Sequence, residues 1–312
     1  MTEVRLPPRA RTARSIDARQ AAIHAALDGI RASCDVTARR EADPVAFAHR
    51  YADPLDQELV ALAAACAAFG NVTAIRAKLG DLLSRLGPRP SRAAEDPVAL
   101  RKSLAGWKHR VFQGEDLARL LAGARAVQRS EGSLGARFAR DLREQGTLRE
   151  ALATWCEAIR RAGGLRKDGP RRGPSHLLPD PRGPSGSKRL LLFLRWMIRP
   201  ADGVDLGLWD VAPARLLVPV DVHIHRLARN LGFTRRKDLS WRTTEEITAA
   251  LARFDPRDPA SYDFSLCHMG MLQRCPSRRD PRRCEGCGVK PVCIHWARSG
   301  KVRIPPPPSS CK

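Results

Sequence analysis

Three groups of residues carry side chains able to do chemistry. The stretch VPVDVHIHRLARNLG, residues 218–232, sets Asp221, His223 and His225 where a helical apolar period begins. An aspartate there can cap the helix by accepting backbone N–H bonds, bind a metal with the two histidines, or act as a reacting carboxylate. Capping is the first reading of the bare pattern. A two-histidine metal site is disfavoured, because side chains at i and i+2 diverge on a helix. The second group is Cys275, Cys284, Cys287 and Cys293, with eight, two and five residues between them. Four thiolates on one short segment can wrap one metal centre, and both a [4Fe–4S] cluster and tetrahedral zinc use that ligand set. Zinc ribbons usually present two separated Cys-x-x-Cys knuckles; a single such pair flanked by lone cysteines favours iron–sulfur over zinc. The enclosed loop PSRRDPRR holds Arg278, Arg279, Arg282 and Arg283. Guanidinium forks anchored at both ends suit phosphate oxygens; the bland alternative is a solvated loop in an arginine-rich chain. The third group is Lys188, which follows the turn RGPSGS and opens the apolar run RLLLFLRWMI. It is open to three readings: an amine nucleophile, a phosphate contact, or a solvated helix end.

The chain around these groups is basic. Its 312 residues carry 55 Lys and Arg against 33 Asp and Glu, a formal charge of +22. Such a field concentrates polyanions, with nucleic acid the commonest candidate, although a genome biased towards arginine would raise the same count. Apolar residues make up 43% and no run approaches the ~20 needed to span a bilayer, so a soluble protein without membrane association is expected. The start MTEVRLPPRARTARS lacks the apolar core of a secretory signal, which points to the cytoplasm and, given the charge, to the nucleoid. In that reducing compartment a tight cysteine group binds metal more often than it forms disulfides.

The elements that must position these groups read as helices. DPLDQELVALAAACAAFG puts Leu55, Leu59, Leu62, Cys66 and Phe69 on one stripe between an acidic, Pro-containing start and a glycine. NVTAIRAKLGDLLSRLG, EDLARLLAGARAVQRS and TLREALATWCEAIRRAGG repeat the period. A Gly-, Pro- and Arg-rich connection, residues 163–188, precedes KRLLLFLRWMIR, whose apolar residues cover most of the circumference, as in a buried central helix. TTEEITAALARF reads as a helix with a Thr cap, residues 1–15 as a disordered basic arm, and 297–312 as a Pro-rich tail. Alternating strand patterns are nearly absent, and the expected class is all-α.

With these residues assembled, the chain resembles an endonuclease III type DNA glycosylase of the HhH-GPD superfamily. VDVHIHR matches that family's Val-Asp-x-His-Ile-x-Arg segment at Val220, Asp221, His223, Ile224 and Arg226. The cysteine spacing agrees in its last two intervals, and its first is two residues longer. LCHMGMLQRC is similar to the family's approach to the first ligand, and SKRLLLFLRWMIR with VDLGLWD points to an uncharacterised bacterial branch. The likeness runs over residues 45–295, with only the two motif regions specific. It departs from the pattern where the family has a Leu-Pro-Gly-x-Gly-x-Lys hairpin. Here Pro184 replaces the first glycine, Gly186 remains, and the interval from Lys188 to Asp221 is longer by a segment around RPADGVDLGLWDVAPARL.

The resemblance implies a helix-hairpin-helix fold: an N-terminal helix (16–48) packed on the C-terminal part, a helical barrel (49–200), and a domain carrying the aspartate and a [4Fe–4S] cluster (201–296). It implies a monomer on double-stranded DNA, with one nucleotide rotated into the cleft. Asp221 would stabilise positive charge on the sugar as the base leaves, and Lys188 would attack C1′. A lysine nucleophile must be uncharged, which burial and nearby cations such as Arg189 or Arg195 would favour. Gly186, Arg189 and the four loop arginines are the expected DNA contacts. Trp196, Trp209 and Tyr262 are candidates to stack on the flipped base or, more ordinarily, core residues.

Overall fold

The computed structural model describes residues 8–166 and 171–296, with the backbone alone for 8–17. Among them the chain forms α1 (Pro8–Ala32), α2 (Val36–Ala42), α3 (Pro54–Ala67), α4 (Val72–Leu86), α5 (Pro90–Ala93), α6 (Pro97–Ser103), α7 (Gly114–Glu131), α8 (Leu134–Gln145), α9 (Leu148–Gly163), α10 (Gly173–Leu177), α11 (Lys188–Ile198), α12 (Val222–Leu231), α13 (Trp241–Leu251) and α14 (Asp263–Leu272). The only strands among the described residues are β1 (Lys108–His109) and β2 (Phe112–Gln113), an antiparallel ribbon with Lys108 opposite Gln113. The class is helical, as the periodicity predicts.

Local signals set the helix ends. Asp53, Asn71, Ser133 and Thr147 accept backbone N–H bonds at the starts of α3, α4, α8 and α9, each cap worth about 0.5–2 kcal/mol. Two boundaries differ from expectation. The cap of α13 is Ser240, not a threonine, because Trp241 is buried and draws the first turn into the core. Helix α1 begins at Pro8, inside the segment expected to be a disordered arm. Proline fits a first helical position, and no further proline interrupts the run that follows. Residues 1–7 and the Pro-rich tail lie outside the described residues.

Helix α3 is the centre of the molecule. Every residue from Glu58 to Ala67 is buried, so its stripe is a whole circumference. Helix α11 packs on it and is buried from Leu190 to Ile198. Helices α7, α8 and α9 pack on one another, with α7 also against α3. Helix α1 closes the other side against α14 and the Lys290–Val292 turn. Arg19 of α1 donates to Leu231 O at 3.0 Å and Val292 O at 3.3 Å, joining the N-terminal helix to the C-terminal part.

The added segment after α11 does not loop away from the protein. Trp209 packs on Phe138, Trp155 and Phe193, and its indole N–H donates to Glu58 at 2.7 Å. Asp205 is buried between Arg195, 3.1 Å away, and Arg199. Burial pushes the Asp205 carboxyl up to about 6 against the pull of both guanidiniums, leaving it anionic at neutral pH. Burial alone would lower Arg195, but Asp205 and Asp263 outweigh it and hold the guanidinium charged. Trp196, Trp209 and Tyr262 are all buried core residues, which corrects their candidacy as base-stacking groups.

Candidate active site and cysteine lobe

Asp221 caps α12 and keeps one oxygen over. Its Oδ1 accepts from His223 N and Ile224 N, both at 2.9 Å. Its Oδ2 accepts from Cys267 Sγ of α14 at 3.5 Å. The residue is half-buried. The opening pattern thus has two compatible answers, a cap and an available carboxylate. Of the two histidines, His225 Nε2 meets Arg236 O at 3.0 Å, and His223 lies against Gly270 of α14.

Lys188 is the first residue of α11, set there by Ser187 in the left-handed region (φ 52°), and is also half-buried. Lys188 and Asp221 bear electrostatically on the same two groups of α14, Asp263 and Cys267. Burial pushes the Asp263 carboxyl up, Arg195 opposes it from 2.5 Å, Asp221 adds to the rise and Lys188 counters it. Burial also pushes the Cys267 thiol far up, with Asp221 and Asp263 adding to the effect. Sequence reasoning misses Asp263 and Cys267. Their only signal is an acid and a thiol at i and i+4, on one face of DFSLCHMG.

The rest of the hairpin differs from expectation. The Gly186 N–H donates to Leu239 O at 2.8 Å, and a Cβ at this position would meet Leu239 O and Thr244 Oγ1, each at 2.9 Å. The glycine thus serves a close approach between the turn and the start of α13, and its amide is not presented for phosphate. The Arg189 guanidinium donates to Cys66 O and His176 O and lies over the rings of Phe69 and Phe112. Arg189 is a bolt between α11, α3 and α10. Arg195, the other expected cation, is neutralised by its two carboxylates.

In the C-terminal lobe Cys275, Cys284 and Cys293 are buried and Cys287 is half-buried. Gly286, at φ 66°, makes the tight turn inside the Cys284–Cys287 pair. Burial raises the Cys275 thiol, Asn230 lowers it by donating from Nδ2 at 3.2 Å, and the other three thiols raise it again. Burial likewise raises Cys293, opposed by the backbone N–H groups of His295 and Trp296. N–H donors aimed at sulfur are what anionic thiolates require. Among the described residues, however, no three His, Cys, Asp or Glu side chains converge tightly enough to hold a single metal ion. Zinc would need all its sulfurs about 2.3 Å from one point.

The lobe is tied to the Asp221 helix. Asn230 of α12 also donates to Pro276 O at 2.9 Å, and Arg226 donates to Cys275 O at 3.0 Å. Between them runs a depression of about 510 Å³ lined by Val222, Arg226, Arg229, Arg235, Lys237 and Leu239. A second hollow of about 560 Å³ continues past Arg226 to Arg278, Arg279 and Arg283. Arg278, Arg279, Arg282 and Arg283 are exposed. Arg279 lies 4.1 Å over the Trp296 ring, and Asp280 holds the loop by accepting from Arg282 N and Arg283 N at 3.1 Å. The result is a continuous basic surface beginning one residue from Asp221. No helix among the described residues is long and apolar enough to cross a membrane.

No curated protein and no solved structure matches the chain. A family model described as "Protein of unknown function (DUF2400)" matches residues 43–272. That span includes Lys188, Asp221, Asp263 and Cys267 and stops short of the four lobe cysteines. Since it covers well over half of the 312 residues, the chain belongs to the DUF2400 family.

Proposed function

We propose that this protein is a DNA-repair glycosylase on a helix-hairpin-helix scaffold of the endonuclease III type, acting on a damaged or mismatched base in duplex DNA. The observation that carries the reading is that Asp221, in contact with Cys267 at 3.5 Å, and Lys188 both act electrostatically on Asp263 and Cys267 from the starts of two different helices. The basic surface that starts at Val222 and ends at the arginine loop is the matching support for a DNA backbone.

In this mechanism the bond between base and C1′ lengthens, its electron pair leaves with the base, and the sugar gains positive charge. Asp221, held by two backbone N–H groups, faces that charge with a fixed carboxylate. Lys188 forms the new bond to C1′ through its amine nitrogen. Loss of its proton and ring opening give an imine, from which the C3′–O bond is cleaved by elimination. Cys275, Cys284, Cys287 and Cys293 would hold a [4Fe–4S] cluster, the N–H groups that approach Cys275 and Cys293 suiting thiolate ligands. When bound, such a group supplies a cross-link that stiffens the arginine loop.

The test is incubation with duplexes bearing abasic or oxidised-base sites in borohydride. A covalent adduct is expected with the wild type and none with Lys188→Ala; an adduct that persists in that variant removes the lysine from the mechanism. A second reading, a non-catalytic DNA-binding protein on the same scaffold, is favoured by the altered hairpin, where Gly186 and Arg189 are engaged internally. Absence of base release from every lesion in a panel, with duplex binding intact, selects it.

A further inference from the structure

Helix capping leaves Asp221 one free oxygen, and α14 brings a thiol to it. Oδ1 is taken by two backbone N–H groups, while Oδ2 lies 3.5 Å from Cys267 Sγ. The contact is set from both ends of α14. One turn before Cys267, Asp263 is locked to Arg195 at 2.5 Å, which fixes the rotation of the helix. Three residues after it, Gly270 lets α14 approach α12. A Cβ there would meet Leu227 Cδ1 at 2.9 Å and His223 Cβ at 3.3 Å.

We infer that Cys267 is a positioning residue for Asp221: its S–H donates to Oδ2 and holds the carboxylate in one orientation at the site. Its kinetic consequence rests on the glycosylase reading; the contact itself rests on geometry. A thiol suits the task because it is a weak donor. It restrains the carboxylate without drawing off the negative charge that must face a positive sugar, as a strong donor would. The groups around Cys267 keep it in the donating form. Burial, then Asp221 and Asp263, oppose its ionisation, and Lys188 alone favours the thiolate. The same surroundings argue against a nucleophilic cysteine, which needs cationic neighbours.

The experiment compares wild type, Cys267→Ala and Cys267→Ser in single-turnover base release at saturating lesion duplex, with duplex affinity and melting temperature measured in parallel. Cys267→Ala is expected to slow release by about 10- to 100-fold, the scale seen when an outer hydrogen-bond partner is removed. Affinity and melting temperature should stay unchanged, and Cys267→Ser should recover most of the rate by restoring a donor. Equal rates in wild type and Cys267→Ala overturn the inference. Should the wild type release no base from any lesion, the glycosylase reading fails, and alkylation still decides the contact. Iodoacetamide labelling at Cys267, read by peptide mass spectrometry, should quicken several-fold in Asp221→Asn, because the anion opposing thiolate formation is gone. Asparagine caps helices as well as aspartate does, so α12 is preserved. Unchanged labelling in that variant sinks the proposal.

Discussion

The indole N–H of Trp209 donates to Glu58 at 2.7 Å, joining the added segment to the central helix of the molecule. Glu58 also accepts from Gln128 Nε2 at 2.8 Å, Leu134 N at 2.9 Å and Gly135 N at 3.0 Å. One buried carboxylate thus starts α8, fastens α7 and anchors the insertion. Trp209→Phe should keep the ring packing but leave a buried acceptor short of a donor, costing about 1–3 kcal/mol in urea unfolding. Glu58→Ala should cost more, since several buried donors lose their partner at once.

Glu58 also sets a pH dependence. Burial holds its carboxyl above the ordinary carboxylate range, although four donors pull it down. Between the unfolded value, about 4.3, and the raised folded value, the folded protein binds more protons than the unfolded one. The contribution of this group to stability therefore grows as pH falls through that window and is lost as pH rises through it. Glu58→Gln removes the slope. The stability of wild type relative to Glu58→Gln should rise as pH is lowered, measured as urea midpoints at a series of mildly acidic pH values.

The buried ion network behind Lys188 predicts a large asymmetric effect. Asp205 serves both Arg195 and Arg199, which also reach Asp263, Asp202 and Asp258. Asp205→Ala leaves two buried guanidiniums undercompensated and should cost about 3–5 kcal/mol. A combined apolar replacement of Arg195, Asp205 and Asp263 should be much milder in denaturant unfolding, because no charge is stranded.

The arginine loop predicts a change in salt response. Alanine at Arg278, Arg279, Arg282 and Arg283 should weaken duplex binding similarly for all sequences. The slope of log affinity against log salt should flatten by about 0.9 for each phosphate left without a guanidinium partner. An unchanged slope in fluorescence anisotropy titrations would return the loop to a solvated surface.

The cysteine lobe predicts a coloured protein when purified without oxygen. Cys284→Ser should abolish the visible absorption and bound iron together, and weaken duplex binding through a loosened loop. A colourless wild type containing stoichiometric zinc would replace the cluster with the alternative ion.

Much of the local structure could be read along the chain. The stopping glycines after α4 and α12, the aspartate cap at 221 and the all-round apolar character of α11 follow from neighbours within one or two turns. The family likeness resides in two motifs, and the match of residues 43–272 to a family without assigned function neither adds to it nor subtracts from it. The functional placements in the hairpin were less legible. A glycine before a lysine reads alike whether its amide meets a phosphate or Leu239 O, and an arginine reads alike whether it meets solvent or the carbonyl of Cys66.

The sequence by itself determined the helical class, the caps and the spacing of the four thiols, because each depends on residues close along the chain. Tertiary structure alone decided that Cys267 meets Asp221 and that Asp263 pairs with Arg195. It also decided that Trp209 fills the core and that the long interval after Lys188 folds back onto α3, α8 and α9. These outcomes depend on how α11, α12 and α14 cross, and a helical period specifies which face of a helix is buried but not which side chain of another helix that face will meet.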